Sequence, residues 1–556
     1  MSVRFAATAI TACWLSTALG CGFDLAALRS GDAAVPVDAL VDAPVDAPPL
    51  DASRDAEPSD AAHDAFVDHD GGRDACAAED PCGGGDDDCD GSIDEDACPE
   101  ALECRRGACR APVGSLRWEQ VASSSADDGI GRDRARAVSR AADGFVVVGD
   151  WSGGTLTLGE ASFVANAQDV FAVTLGFADG AVVDAALVDA MAIGGAASDE
   201  GLGVSSSTGA SSGSTVVGRV GGTVSFGSAV TTGPLSGFVA RYGTPSSLTP
   251  SAITRLPASS TVRAVATSGE DAIVAGALEA SVSWGGCAVT VASGTSRAFV
   301  ARVRGDGSVA WCTSWDGEGI ASANAVAVDG GEVFVAGAFE GRLELTTSVE
   351  SRGFDAFVGR LDADTGTLRW AVVASGNGVE EGSAIGLHGD HVYFGGAHAS
   401  AATELSRDGA VLGSLPPASD LDAFVVALGR DGALRWTRTS AGTFESRVRG
   451  LAAVEGELFV MGEHGGVSWS GCSAAGAGAR DVFVASLAAD DGACRWVRSH
   501  GGPADDLAGG VAVDEDLVVI VGAINDGAVV DGTAWATVGE DAAGRDTDVY
   551  VAAYAW

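Results

Sequence analysis

The side chains whose types and spacing could do chemistry are densest in one acidic run, Asp86-Asp87-Asp88-Cys89-Asp90-Gly91-Ser92-Ile93-Asp94-Glu95-Asp96. A hard cation such as calcium takes about six to eight oxygen ligands, and carboxylates at alternate positions of a tight turn can supply several of them. Asp86, Asp88, Asp90, Asp94 and Glu95 are the expected calcium ligands, with Gly91 permitting the bend. A solvated acidic turn is the competing reading. Six cysteines frame the run: Cys76, Cys82, Cys89, Cys98, Cys104 and Cys109. In an exported chain so dense an even set implies three disulfides, and spacing does not choose among their connectivities. Zinc is the alternative, but no Cys-x-x-Cys occurs and the nearest histidines are His63 and His69.

Other candidates are scattered. His388, His391 and His398, with His464 further on, could bind metal or move protons, yet their spacing crosses a turn and a strand end, which predicts exposed loop positions. Asp127-Asp128 and Asp505-Asp506 are paired acids of the kind that cleave glycosidic bonds, provided the fold sets their separation. No His-Glu-x-x-His and no phosphate-cradling loop is present. Sequence therefore assigns no catalytic residue.

The acidic run resembles thrombospondin type 3 calcium loops in its Asp-x-Asp-x-Asp-Gly-x-x-Asp spacing. With Cys82-Gly83-Gly84-Gly85 ahead of it, it also resembles the metal-binding Asn-Asp-Cys-Asp-Gly-x-x-Asp-Glu motif of bacterial surface proteins. Both resemblances imply a bound cation at the residues named above.

The rest of the chain is built from a repeat. A strand of the form Asp/Gly-x-Phe-Val-Ala recurs with its aromatic at Phe171, Phe238, Phe299, Phe357, Phe424, Phe483 and Tyr550. Ahead of it runs an apolar strand ending in glycine, as in Phe334-Val335-Ala336-Gly337 and Phe459-Val460-Met461-Gly462, and ahead of that a shorter run such as Ala325-Val326-Ala327-Val328. After four copies an Asp-Gly or Thr-Gly turn leads to Trp311, Trp370, Trp436 or Trp496. Such turns between apolar runs signal hairpins.

Four short strands repeated seven times predict a β-propeller of 113–556, and strands apolar throughout suit sheets covered on both faces. Residues 114–556 resemble the bacterial β-propeller repeat family, through runs such as Asp355-Ala356-Phe357-Val358-Gly359-Arg360-Leu361 continuing to Trp370. The expected fold is all-β, seven blades of four strands. The last copy lacks its Trp strand and Leu116-Arg117-Trp118-Glu119 precedes the first, so this N-terminal strand is expected to complete the last blade. Cys287 with Cys312, and Cys472 with Cys494, are expected to staple neighbouring strands within blades. Leu361 to Trp370 also resembles the tryptophan-docking repeat of quinoprotein dehydrogenases, but the match is good in one blade only and no Cys-Cys pair accompanies it, so packing explains the Trp.

The N-terminal part reads as an address. Arg4, an apolar stretch and then Ala18-Leu19-Gly20-Cys21 form a signal peptide over 1–20. Its end resembles the lipobox of bacterial lipoproteins, which implies lipidation of Cys21; cleavage by ordinary signal peptidase is the alternative. Residues 21–75, with Val41-Asp42-Ala43-Pro44 and Val45-Asp46-Ala47-Pro48, read as a disordered Asp/Ala/Pro tether, and 76–112 as the Cys-rich Asp-loop segment. These features place the protein in the bacterial cell envelope, as an outer-membrane or cell-surface lipoprotein or, alternatively, as a secreted protein. The formal charge of −44 excludes nucleic acid as a natural partner, because phosphate binding needs clustered cations. The expected protein is a monomer, held to a membrane by its lipid, whose propeller binds or scaffolds a protein or glycan and carries no cofactor. An extracellular propeller enzyme such as a glycan hydrolase or lyase is the alternative.

Overall fold

The computed structural model describes residues 112–556, apart from 123, 126–131, 143, 159–160, 166, 178–184, 208–212, 244–248, 443, 479, 515, 526, 531–532 and 535–546, and two short strands before them. The signal peptide, Cys21, the tether, the Asp86–Glu95 loop, the side chains of all six N-terminal cysteines and Asp127-Asp128 lie outside the described residues. The short strands, Glu103–Arg105 and Ala108–Arg110, pair in a sheet of their own.

Among the described residues of 112–556 every element is a β-strand, arranged as a β-propeller. Four antiparallel sheets follow one plan, in which first, second, third and fourth strands pair in chain order. They are Ser260–Ser268, Asp271–Leu278, Arg297–Val303, Val309–Ser314; then Gly317–Asp329, Glu332–Glu344, Ser348–Asp362, Leu368–Ser375; then Glu380–His388, His391–His398, Asp422–Gly429, Leu434–Thr439; then Ser446–Val454, Glu457–His464, Asp481–Ala488, Cys494–His500. A fifth has Leu507–Val513, Leu517–Ile524 and Asp548–Ala555, completed on its outer edge by Leu116–Ala122. The first residues of the domain thus pair with the last, Leu116 opposite Tyr554 and Ala122 opposite Val549. The second of these sheets is extended past Leu368–Ser375 by Thr403–Arg407 and Ala410–Leu415, and short outer strands pair in small sheets of their own. Eight further strands form one sheet. It comprises the runs Arg134–Ala141, Gly144–Ser152, Gln168–Phe177, Ala185–Gly195 and Glu200–Ser206, Ser214–Phe226, Ala229–Tyr242, Pro250–Ala258, joined where Ile193 to Gly195 meet the end of Ser214–Phe226.

One contact accounts for two of the repeated sequence features. The third-strand aromatic lies opposite the second-strand glycine: Phe171 with Gly149, Phe238 with Gly218, Phe299 with Gly276, Phe357 with Gly337, Phe424 with Gly396, Phe483 with Gly462 and Tyr550 with Gly522. A Cβ on Gly462 would meet the Phe483 ring at 2.7 Å and the Arg447 carbonyl oxygen at 1.9 Å. The ring takes the space, and its full burial excludes apolar surface from water at about 25 cal/mol per Å².

The fourth-strand tryptophans hold one sheet to the next. Trp311 Nε1 donates to Ala363 O at 2.8 Å, Trp370 to Arg430 O at 3.0 Å and Trp436 to Ala489 O at 3.0 Å, each acceptor belonging to the following sheet's turn. The glycines of those turns, Gly366, Gly432 and Gly492, have φ of 68°, 80° and 70° and press against the indoles. Where the ring closes, Gly114 takes that role against Trp496. Two disulfides, Cys287–Cys312 and Cys472–Cys494, fasten a short outer hairpin to the fourth strand of their sheets.

Candidate functional site

The first strand of each four-strand run carries a β-bulge. The ladders skip Arg136, Leu202, Arg263, Asn324, Ser383, Arg449 and Gly509. A bulge leaves its extra residue unpaired and re-aims the side chain. At three of these positions that side chain is a guanidinium. The same end of the ring receives the residue after the second-strand glycine, which is Asp150 beside Gly149, Arg219 beside Gly218 and Glu463 beside Gly462.

These residues form an arginine and carboxylate network at the inner edge of the ring. Arg136 grips Asp150 through Nε and, at 3.2 Å, through Nη2, while Gln168 Nε2 donates to the same carboxylate at 2.5 Å. Glu463, 1% exposed, faces three guanidiniums: its Oε2 is 3.4 Å from Arg449 Nη2, 3.8 Å from Arg447 Nε and 4.0 Å from Arg480 Nη1. Arg449 also reaches Glu381 at 3.8 Å, and Arg480 donates to Asp505 at 2.5 Å. Arg134 Nη2 donates to Ala508 O at 3.2 Å. Glu200 stands in the field of Arg136, Arg219 and Arg263.

The electrostatics follow from that crowding. Burial alone would raise the Glu463 carboxyl, but Arg449, Arg447, Arg134 and Arg480 together hold it at about 2. Burial and neighbouring Arg136 bring Arg134 down to about 10, against the pull of Glu463. Glu200 goes the other way: burial raises it despite Arg136. Arg134 Nε, Arg449 Nε and Glu463 Oε1 are among the polar atoms of the network that are buried without a hydrogen-bond partner.

A second set of buried carboxylates ties down the loops at this end. Asp199 accepts from Gly221 N at 2.9 Å, Asp355 from Gly376 N at 3.4 Å and Asp169 from Gly195 N at 3.2 Å, while Asp506 accepts from Gly502 N and Asn525 N at 2.8 and 2.7 Å. Burial raises Asp199, Asp355 and Asp506 to about 7 and Asp169 to about 6. Asp505-Asp506 is therefore no catalytic pair, because one member is paired with Arg480 and the other caps backbone.

The histidines divide. His388 is exposed, and His391 stacks on Tyr393 with ring centroids 5.7 Å apart. His398 and His464, expected in exposed loops, are fully buried at the ends of their second strands, in the position filled elsewhere by Phe339 or Ile524. Their hydrogen bonds run to Thr403 at 3.3 Å and Ser499 at 2.8 Å, and burial lowers both to about 4, so they are neutral core residues. Among the described residues no group of three His, Cys, Asp or Glu side chains is placed to hold a metal.

Sequence reasoning missed the arginines, which no local motif joins. The signal was present in the aligned first strands, where a polar residue precedes a small one and then an aliphatic: Arg136-Ala137-Val138, Arg263-Ala264-Val265, Asn324-Ala325-Val326, Ser383-Ala384-Ile385 and Arg449-Gly450-Leu451. The run Gly209-Ala210-Ser211-Ser212-Gly213 has the Gly-x-Ser-x-Gly form, but the element that follows it is a strand, Ser214–Phe226, and not the helix that follows a nucleophile elbow.

No family model matches the chain, and no curated protein matches it. Solved structures do resemble it distantly. A quinohemoprotein alcohol dehydrogenase from Pseudomonas putida HK5 is 12% identical, with 79% of this chain and 76% of that one covered at a TM-score of 0.34. A europium-containing methanol dehydrogenase is 10% identical over 80% of this chain and 96% of that one, at 0.32. The phage phi92 endosialidase is 8% identical over 80% and 70%, at 0.34.

Proposed function

We propose that the protein is an exported, lipid-anchored envelope protein whose seven-bladed propeller is a binding module, with its ligand taken at the arginine-lined mouth. The observation that carries the reading is the gathering of Arg134, Arg136, Arg219, Arg263, Arg447, Arg449 and Arg480 at one mouth of a chain whose net charge is −44. In so acidic a molecule this concentration of guanidinium, interleaved with Asp150, Glu200, Glu381, Glu445, Glu463 and Asp505, is the feature a ligand would find.

The blade count is supported by the first strands. Arg134–Ala141 lies beside Glu200–Ser206, then in turn come Ser260–Ser268, Gly317–Asp329, Glu380–His388, Ser446–Val454 and Leu507–Val513, and the last lies beside the first. On this count the eight-stranded sheet is two blades fused along one edge. The apolar stretch ending at Cys21, the Asp/Ala/Pro tether and the cysteine-framed loop support an anchored module at the cell surface, with calcium at Asp86, Asp88, Asp90, Asp94 and Glu95.

Incubating the purified full chain with cell-wall and extracellular glycans tests the reading. Binding without product release is expected, and substitution of mouth arginines weakens it. One observation favours an enzyme instead: Glu200, a mouth carboxylate raised by burial, is suited to donate a proton. Release of cleaved glycan that stops in Glu200→Gln would replace the binding reading by that one.

A further inference from the structure

Resting on the mouth as the binding site, we infer that its ligand is a hydroxyl-rich monocarboxylate of the hexuronate class, with its carboxylate seated among Arg134, Arg136 and Arg449.

The chemistry of the lining selects this class. Guanidiniums present planar forks that match a carboxylate. They alternate here with Asp150, Glu200, Glu381 and Glu463, which accept hydrogen bonds and repel further negative charge. A phosphate or sulfate dianion would meet those carboxylates on every side. A neutral sugar would offer no anion to the donors of Arg134 and Arg449 that their protein partners leave free. One negative charge surrounded by hydroxyls fits the alternation, since hydroxyls donate to carboxylates while the anion takes the arginines. Arg134 Nε, Arg449 Nε and Glu463 Oε1, two donors and one acceptor buried without partners, are the complement of such a ligand. The net charge of −44 disfavours a long polyanion, so the ligand is short or is one residue at a chain end.

A second, independent feature points to a sugar. Phe444 is 57% exposed, on the connection between Leu434–Thr439 and Ser446–Val454, three residues ahead of Arg447 in the chain. An exposed aromatic so close in sequence to charged, hydrogen-bonding side chains offers a flat apolar face on which a pyranose can stack.

The test titrates the purified full chain by calorimetry with galacturonate, with its neutral analogue galactose and with inorganic phosphate. Galacturonate is expected to bind at least about tenfold more tightly than either, the difference one charged hydrogen-bonded pair makes. Arg136→Gln and Arg449→Gln should each cost about tenfold, and Phe444→Ala a few-fold. Because these variants could fold poorly, the unaltered protein is also treated with phenylglyoxal and mapped by mass spectrometry. Bound galacturonate should protect Arg136 and Arg449, while the exposed Arg342 and Arg435, outside the network, react as before. Equal binding of the neutral analogue, with arginine protection, would overturn the acidic class and leave the binding mouth standing. Binding of phosphate alone would reduce the site to an anion pocket and overturn it too. Binding without protection of Arg136 and Arg449, or no binding of any probe, would remove the mouth as the site altogether.

Discussion

The inner and outer edges of the same sheets make an instructive pair. At the outer edge successive blades repeat themselves: Trp311, Trp370 and Trp436 meet a turn glycine and a backbone carbonyl in the next sheet through one geometry. At the inner edge the geometry repeats but the residues do not. Every first strand is bulged at the same place, and the bulge holds Arg, Leu, Arg, Asn, Ser, Arg and Gly in turn. Repetition within one chain marks what assembles the ring. Divergence at a fixed geometric position marks what the ring presents.

The contrast breaks first if the outer edge proves dispensable. Deleting 114–121 removes the strand opposite Asp548–Ala555 and leaves the outer edge of that strand unpaired. It should lower unfolding free energy by at least the ~3–5 kcal/mol of a large buried aromatic and blur the transition. Unchanged denaturant unfolding would refute closure by this strand. Trp370→Ala should cost ~3–5 kcal/mol by the same measurement, whereas Trp370→Phe should lose about 1 kcal/mol with its bond to Arg430.

Glu463 sharpens the comparison, being an inner-edge residue with a structural load. Glu463→Ala leaves Arg449, Arg447 and Arg480 facing one another and should cost ~3 kcal/mol, while Arg263→Gln should change stability by less than ~1 kcal/mol. Equal costs would mean that the mouth is one rigid structural knot.

The smallest effect is in pH. Asp199, Asp355 and Asp506 are raised to about 7 when folded, above about 3.9 unfolded, so their contribution is present at acid pH and lost as pH rises through 7. His398 and His464 are lowered to about 4, so theirs is present above about 6.5 and lost as pH falls toward 4. Stability should therefore be higher at pH 6 than at pH 8, by up to about 1.4 kcal/mol per group for each pH unit in which it is protonated only when folded. Asp355→Asn keeps an acceptor for Gly376 and should flatten that slope. A midpoint that rises from pH 6 to pH 8 would show that these carboxylates ionise freely.

The propeller was legible because its signals are local. A Phe-Val-Ala strand, a glycine-ended strand and a Thr-Gly turn before Trp370 each fall within a few residues of one another. Trp118 could be placed because its repeat was missing at the far end. The mouth was illegible for the opposite reason. Arg136, Arg263, Arg449 and Glu463 are joined only by the ring, and the bulge shifts Arg136 and Arg449 out of the alternation by which inward and outward residues are read. His398 and His464 misled because they occupy an aromatic core position near a turn, and burial there depends on the neighbouring blade.

The pairing of Leu116–Ala122 with Asp548–Ala555 also sets a schedule. Among the strand pairings described it spans the greatest length of chain, and contacts so distant in sequence form late because the loop entropy must be met first. At ribosomal rates of ~5–20 residues per second, Leu116 waits roughly 20–90 s for Tyr554 to be made. Through that interval the ring is an open crescent with both ends exposed. Such a chain gains from a companion that covers its edges until the clasp is complete.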